Sequence, residues 1–418
     1  MCRSKNINIP ASKSIAQRVV AAALLADGKS IIENFTDCND AEAALRIAQT
    51  LGAKITRENG LLHIEGGLEI PDTALDAEES ALALRMFAPI AALTGKDIVF
   101  SGKGSLLKRP VEMIVNALQQ GNVKCNTNNG MLPLTLSGKL KSGHFHLDGA
   151  VTSQVLTGLL MALPVVEGDS VVMVENLKSK PYIDITIDVL KSFGIEIENI
   201  DYHTFVIRGN QQYKLCRYVV EGDWSSAAFW FVAGAIHGDL SVTGLNPNSK
   251  QADRAILDAL KTANCTVECH HNVFTVRKSK VMPFTFDASH CPDLIPILTL
   301  LATCATGISK IHGIQRLRFK ESDRISVLIQ EFEKTGISII QHNDTLEITG
   351  GVIHGGNIDP HNDHRIAMTF AIASLVSTSD ILIQNPECVS KSYPRFWQDC
   401  DFSRTFAAAT TVFPVALY

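Results

Sequence analysis

The chain repeats itself six times, and this period limits the available folds more than any other feature of the sequence. Each copy opens on a small or polar residue and an Ala/Leu-rich helical run. A turn, usually with Gly, comes next, then a short β-branched strand, a polar loop and a second, amphipathic helix. The first copy starts at Ser14 and passes through Gly28, the strand Ser30–Phe35 and the helix Ala41–Leu51, stopping at Gly52. The third runs from Ser153 through Gly168, the strand Val171–Val174 and the helix Ile183–Phe193 to Gly194. The fifth runs from Asp293 through Gly307, the strand Ile308–His312 and the helix Arg324–Lys334 to Gly336. The others open near Ser80, Ser225 and Asp363, so the start-to-start steps are 66, 73, 72, 68 and 70 residues.

Strands with period two and helices with period 3.6 inside one unit imply α/β modules with helices packed on sheets. Six modules exceed one core, so the period predicts two domains of three modules, divided near Glu221–Asp223. The first domain is expected over residues 12–221 and the second over 1–11 plus 222–402, with an entry strand at Lys5–Ile9 and a loose tail at 403–418. Hydrophobic residues are 46% and charged residues 19% of the 418, enough for buried cores and too apolar for a disordered chain. With 38 basic and 43 acidic residues the net charge is −5, which gives no basic field for nucleic acid or an anionic membrane. The apolar run Leu294–Ser309 is too short to span a bilayer, which takes about 20 residues. No secretory leader pattern opens the sequence, and the 10 cysteines follow no disulfide framework, so a cytoplasmic protein is expected.

Charged and polar residues recur at two places in each module. Lys13, Ser14 and Arg18 lie at the start of a first helix, as do Thr152, Ser153 and Gln154, then Asp293, then Asp363, His364 and Arg365. Lys108 and Arg109 lie in the loop before a second helix, as do Ser179, Lys180 and Tyr182, then Lys320, Glu321, Asp323 and Arg324, then Lys391. Helix N-termini offer unpaired N–H groups and a partial positive charge. Adding Arg, which grips carboxylates and phosphates with two bonds, and Lys, a point charge, makes such places suited to anions.

These segments resemble the EPSP synthase family. Pro10-Ala11-Ser12-Lys13-Ser14-Ile15-Ala16-Gln17-Arg18 is similar to its P-G-x-K-S-x-x-x-R opening. Thr152-Ser153-Gln154 resembles S-S-Q, and Ser179-Lys180-Pro181-Tyr182-Ile183-Asp184-Ile185-Thr186 matches S-K-P-Y-I-D-I-T. Lys320-Glu321-Ser322-Asp323-Arg324 matches K-E-[ST]-D-R, and Asn362-Asp363-His364-Arg365-Ile366-Ala367-Met368 resembles N-D-H-R-M-A-M. The five occur in order, and the resemblance runs from about Pro10 to Trp397. The resemblance implies an α/β (α+β) fold of two domains, each of three βαβαββ units. This is the inside-out barrel of the enolpyruvyl transferases, with the active site in the cleft between domains.

It also implies transfer of the enolpyruvyl group of phosphoenolpyruvate to the 5-hydroxyl of shikimate 3-phosphate, through a tetrahedral intermediate, in aromatic amino acid biosynthesis. Lys13, Arg109 and Gln154 would hold the phosphate of phosphoenolpyruvate, and Arg324, Arg365 and Lys391 its carboxylate. Ser14, Arg18, Thr152, Ser153, Gln154, Ser179, Tyr182 and Asp293 would bind shikimate 3-phosphate, with Lys320 near its phosphate. Two anions side by side need several cations to offset their repulsion, which agrees with this set. Asp293 and Glu321 are the candidates for proton transfer, as a carboxylate pair with one raised pKa, and Lys13 assists the departing phosphate. The resemblance implies no metal and no organic cofactor. The partners are the two small-molecule substrates, with neither nucleic acid nor membrane, and a monomer is expected.

Taken singly, a Lys or Arg in these loops is ordinarily a solvated surface residue, and Asp293 and Asp184 are ordinary helix caps. The ordered set reverses that reading for Lys13, Arg109, Glu321, Arg324, Arg365 and Lys391. Cys265-x3-Cys269-His270-His271 has half of a zinc-like spacing but reads as strand and turn, and the Phe229–Phe231 run reads as core.

The chain departs from the family pattern at Glu78-Glu79-Ser80-Ala81-Leu82-Ala83-Leu84-Arg85, where G-N-A-G-T-A-M-R is usual. Ala81 replaces a Gly, and its methyl narrows the phosphoenolpyruvate pocket. The nearest alternative is a UDP-N-acetylglucosamine enolpyruvyl transferase. That family has Lys-Asn in place of Lys13-Ser14 and a reactive Cys where the loop Gly102–Lys108 has none. An inactive metabolite-binding relative is the other alternative.

Overall fold

The computed structural model describes residues 5–69 and 72–400. Residues 403–418, read above as a tail, lie outside them. The chain forms two compact units. One comprises Pro10–Asp223 with Asn248–Ala252 (the N-terminal unit). The other comprises the described residues up to Ile9, Trp224–Pro247 and those from Asp253 (the C-terminal unit). The helices are α1 Lys13–Leu25, α2 Asn39–Thr50, α3 Ala81–Ala92, α4 Glu112–Gln120, α5 Gln154–Ala162, α6 Lys180–Ser192, α7 Trp224–Ile236, α8 Ile256–Thr262, α9 Ile295–Thr303, α10 Arg324–Lys334, α11 His364–Ala373 and α12 Phe396–Asp399. The fifth module matches the sequence reading residue for residue, with a strand at Ile308–His312 and α10 at Arg324–Lys334. The glycines that stop the second helices, Gly52, Gly194 and Gly336, all have positive φ, which L-residues with a Cβ adopt only under strain.

Every complete sheet is built the same way. An entry strand pairs in parallel with the strand that follows the first helix, and that strand pairs antiparallel with a hairpin. In the N-terminal unit the second module shows this as Ala74–Asp76, Ile98–Ser101, Met131–Ser137 and Lys124–Asn128. The third shows it as His144–Asp148, Ser170–Glu175, Thr204–Ile207 and Glu198–Ile200. The first module takes its entry strand from the far end of the unit, because Arg217–Val219 pairs with Ile31–Glu33. In the C-terminal unit the same office falls to the start of the chain, where Lys5–Asn8 pairs in parallel with Leu240–Thr243. The sixth module keeps only the parallel pair Gly356–Ile358 and Ile381–Ile383 among the described residues. Its second helix is the 3₁₀ turn Pro386–Lys391.

The first helices of the modules form the centre of each unit. Every residue of α3, α9 and α11 is buried, as are Ile15–Leu24 of α1 and Val155–Ala162 of α5. A helix apolar on all sides belongs inside a core, whereas the second helices keep one wet face. Phe229, Trp230 and Phe231 of α7 are wholly buried, so the aromatic run is core. Among the described residues no helix is long and apolar enough to cross a membrane, and no His/Cys/Asp/Glu group could hold a metal ion.

Close approach of α3 to α5 depends on Gly158. A Cβ there would lie 2.7 Å from the Arg85 carbonyl oxygen and 2.9 Å from Pro89 Cγ. Pro89 sits inside α3 and has no N–H to offer the Arg85 carbonyl, so the helix surface that α5 meets is backbone as much as side chain. Gly158→Ala is expected to destabilise the fold by about 1–3 kcal/mol through overpacking. It should lower the denaturant midpoint at constant slope; an unchanged midpoint would show that the two helices part without cost.

Candidate active site

In the C-terminal unit the charged residues of three loops converge on Arg324. Asp323 caps α10, its side chain accepting from the Ser326 N–H at 3.3 Å, which sets Arg324 as the first helical residue. Asp363 caps α11 in the same way, accepting from the Arg365 N–H at 3.0 Å. Asp293 enters from the 3₁₀ turn Pro292–Leu294 that leads into α9.

Arg324 is 1% exposed and holds all three nearby carboxylates. Its Nε and Nη2 donate to Asp363 at 2.7 and 3.2 Å, its Nη1 to Asp293 at 2.8 Å, and its Nη2 also to Glu321 at 2.6 Å. Arg365 Nη2 donates to the other Asp293 oxygen at 3.0 Å, Lys320 Nζ to Asp293 at 3.1 Å, and Ser322 Oγ to Asp363 at 3.1 Å. Lys391 is buried in its 3₁₀ turn. The Cys388 thiol, pushed up to about 12 mainly by burial, feels both Asp363 and Lys391, which puts Lys391 beside the same cluster.

The electrostatics follow from this packing. Burial alone would raise the pKa of Asp293, and Glu321 adds to that. Arg365, Lys320 and Arg324 overcome both and hold it well below the usual carboxylate range. Burial lowers the pKa of Lys320, with Arg324 adding to the shift and Asp293 opposing it. The Arg324 guanidinium is raised, since Asp363, Glu321 and Asp293 outweigh its burial. Asp293 is therefore not the member of the carboxylate pair with a raised pKa; it is ionised.

The N-terminal unit carries a second set. Lys13 opens α1, with its Nζ on Asp40 at 2.9 Å, and its backbone N–H donates to Asp223 at 3.1 Å from the far end of the unit. Arg18 is 1% exposed. Among the described residues it donates to neutral oxygens: Thr186 Oγ1 at 2.9 Å, the Ser14 carbonyl at 2.7 Å, the Tyr182 carbonyl at 3.4 Å and Thr157 Oγ1 at 3.5 Å. Burial brings its pKa down to about 10, so it remains a cation at neutral pH, and no carboxylate among the described residues pairs with it. Gln154, first in α5, accepts from Arg85 Nη1 at 2.8 Å, and its N–H donates to Thr152 Oγ1 at 3.2 Å.

Ser153 and Ser179 are buried, Ser179 with a left-handed backbone at the start of α6. Arg109 is buried at the end of the 3₁₀ turn Gly104–Lys108 and reaches Ser105 Oγ at 3.4 Å. Ala81 is the first residue of α3, behind Ser80, whose hydroxyl donates to Gln17 Oε1 at 3.0 Å and accepts from the Ala83 N–H. Asp184 lies within α6 instead of capping it, and accepts from Tyr202.

Thus Asp293, Lys320, Glu321, Arg324 and Arg365 form one contiguous network, with Lys391 at its edge. Arg18 meets Ser14, Tyr182 and Thr186 in another. Charged residues outside the assigned catalytic and substrate sets also take part: Asp363, Asp40, Arg85 and Asp223. In the sequence Asp363 stands at a first-helix start and Arg85 closes the Glu78–Arg85 stretch, but neither pattern signals an ion-pair partner.

A family model described as EPSP synthase (3-phosphoshikimate 1-carboxyvinyltransferase) matches residues 3–400. The chain belongs to the EPSP synthase family. It is 41% identical over 406 residues to the 3-phosphoshikimate 1-carboxyvinyltransferase of Clostridium novyi, covering 94% of this chain and 93% of that one. It is 40% identical over 397 residues to that of Clostridium kluyveri, with 94% and 93% covered. A solved EPSP synthase from Acinetobacter baumannii shares the fold with a TM-score of 0.80 at 26% identity, covering 96% of each chain.

Replacing Arg324 by Lys tests the clamp in this EPSP synthase family member. An ammonium cannot reach three carboxylates in one plane, and Asp363, 0% exposed, would lose its two-bond partner. Arg324→Lys is expected to cost about 3–5 kcal/mol of stability. A loss below about 1 kcal/mol in chemical denaturation would show that water or another cation replaces the guanidinium.

Proposed function

We propose that this enzyme transfers the enolpyruvyl group of phosphoenolpyruvate to the 5-hydroxyl of shikimate 3-phosphate and releases phosphate. The observation that carries the reading is the ionised Asp293 held by Arg365, Lys320 and Arg324 within a chain that matches the family over nearly its whole length. An ionised carboxylate among cations is in the form to take the hydroxyl proton as oxygen attacks C2 of phosphoenolpyruvate. The methylene carbon gains a proton to give the tetrahedral adduct. Loss of a proton from the new methyl group and departure of phosphate then restore the double bond. Glu321, whose carboxylate is bonded to Arg324, and Lys13 serve these later transfers.

Lys13, Arg109 and Gln154 are assigned to the phosphate of phosphoenolpyruvate, with Ala81 lining its pocket. Arg365, Lys391 and Arg324 are assigned to the carboxylate, Arg324 sharing its Nη donors with Asp293 and Glu321. Ser14, Arg18, Thr152, Ser153, Gln154, Ser179, Tyr182, Asp293 and Lys320 are assigned to shikimate 3-phosphate. Support comes from Arg18: a buried guanidinium among neutral oxygens is costly alone and is stabilised by a bound anion. The reading has the enzyme act as a monomer in the cytoplasm. The cysteines among the described residues are all free thiols, which suits a reducing compartment.

Phosphate release from phosphoenolpyruvate is expected with shikimate 3-phosphate as acceptor and not with UDP-N-acetylglucosamine. Glu321→Gln and Lys13→Met should each reduce turnover by about 10²-fold or more with the fold retained. Release with the sugar nucleotide alone, or with neither acceptor, would overturn the assignment.

Lys320 also predicts a pH effect. Its pKa is lowered on folding, so a substrate phosphate that needs the ammonium form is lost as pH rises through that lowered value, below the ordinary 10.5. Over the window between the folded and unfolded values the unfolded chain binds more protons, so this residue's contribution to stability rises with pH while activity falls. kcat/KM for shikimate 3-phosphate should show an alkaline limb that moves upward in Lys320→Arg. A limb at the same pH in that variant would assign it to another group.

A further inference from the structure

Glu331 is a carboxylate with no accessible surface, two turns beyond Arg324 on the same helix, and the assigned reaction does not use it. A spacing of seven residues returns to the same helix face, so α10 presents Arg324 and Glu331 to the same neighbour. That neighbour is the segment 359–363. Glu331 Oε2 accepts from the Asp359 backbone N–H at 3.1 Å, and Arg324 grips the Asp363 carboxylate. The glutamate's charge is met by Lys334 Nζ, at 2.8 Å from Oε1 and 2.7 Å from Oε2, and His361 Nε2 lies 3.9 Å from Oε1.

Between these two attachment points the backbone takes an uncommon path. His361 and Asn362 have φ of 52° and 57°, two successive left-handed residues that both carry a Cβ. Both are exposed, so no packing of their side chains into a core holds them there. The turn is closed from within by Asp359 Oδ1, which accepts from the His361 N–H at 2.8 Å, and by the Pro360 carbonyl, which accepts from the Asp363 N–H at 2.9 Å. Such a turn persists only where its ends are fixed.

We propose that Glu331 is a positioning residue for the reaction. By holding the Asp359 N–H it straps the segment 359–363 onto α10 and so fixes where Asp363, and through it Arg365, meet Arg324 and Asp293. Asp363 joins the strapped segment to the charge cluster. It accepts from both Arg324 and the Arg365 N–H, so a displacement of its backbone moves the guanidinium that holds Asp293. The strap rests on the assignment of Asp293, Arg324 and Arg365 to enolpyruvyl transfer.

Glu331→Gln tests it, because the amide keeps the volume but sets an NH2 against one of the two donors. Kinetics are measured well below the unfolding midpoint of each protein. About a tenfold fall in kcat/KM for phosphoenolpyruvate is expected, with faster hydrogen exchange at the Asp359 and Asp363 amides. Glu331→Asp keeps the charge for Lys334 but draws it back from Asp359, and it should show a smaller fall of the same kind if the Gln variant does not fold. A lowered midpoint with kcat/KM within twofold of wild type in a folded variant would overturn the proposal and leave Glu331 a stabilising residue only. Wild type without activity towards shikimate 3-phosphate would instead overturn the functional assignment.

Discussion

One guanidinium organises the chemistry of the C-terminal unit. Arg324 is surrounded by Asp293, Glu321 and Asp363 at hydrogen-bond distance and is almost without solvent contact. Three like charges so close would repel strongly in a medium of low polarity, and Arg324, with Lys320 and Arg365 behind Asp293, makes their coexistence possible. The same balance keeps Asp293 ionised and Lys320 depressed, so the acid–base properties of the site are consequences of one buried charge arrangement.

The N-terminal unit solves the opposite problem. Among the described residues its buried Arg18 donates to neutral oxygens, and its Lys13 ammonium is paired with Asp40. The first set stands close to electrically satisfied within the protein, whereas the second retains a cation that an anion can still neutralise. This asymmetry suits a protein that binds a phosphorylated substrate and acts on it with a preset carboxylate.

Much of this could be read from the amino-acid order, and the limits are physical. The modules, the helix spans and the glycine stops are local patterns, and the strand Ile308–His312 and helix Arg324–Lys334 appear where periodicity puts them. Lys320, Glu321 and Arg324 were legible because they share one short loop. Asp363, Asp40, Arg85 and Glu331 were not, since each acts on a residue distant in the chain, and an Asp before a helix looks the same whether it caps or also clamps an arginine. Which member of the carboxylate pair is held low could not be read for the same reason. Three cations from separate loops decide the charge of Asp293, and their distances exist only in the folded chain.

The two exchanged entry strands bear on how the molecule is made. Lys5–Asn8 is synthesised long before its partner Leu240–Thr243, which emerges only after Pro10–Asp223. The first sheet, in turn, waits for Arg217–Val219. On the ribosome the leading strand must stay unpaired while a complete neighbouring core condenses, and its edge is open to wrong pairing during that interval. Closing so long a loop is slow compared with local helix formation, so docking of this strand is a natural late checkpoint that commits the nascent chain to its finished form.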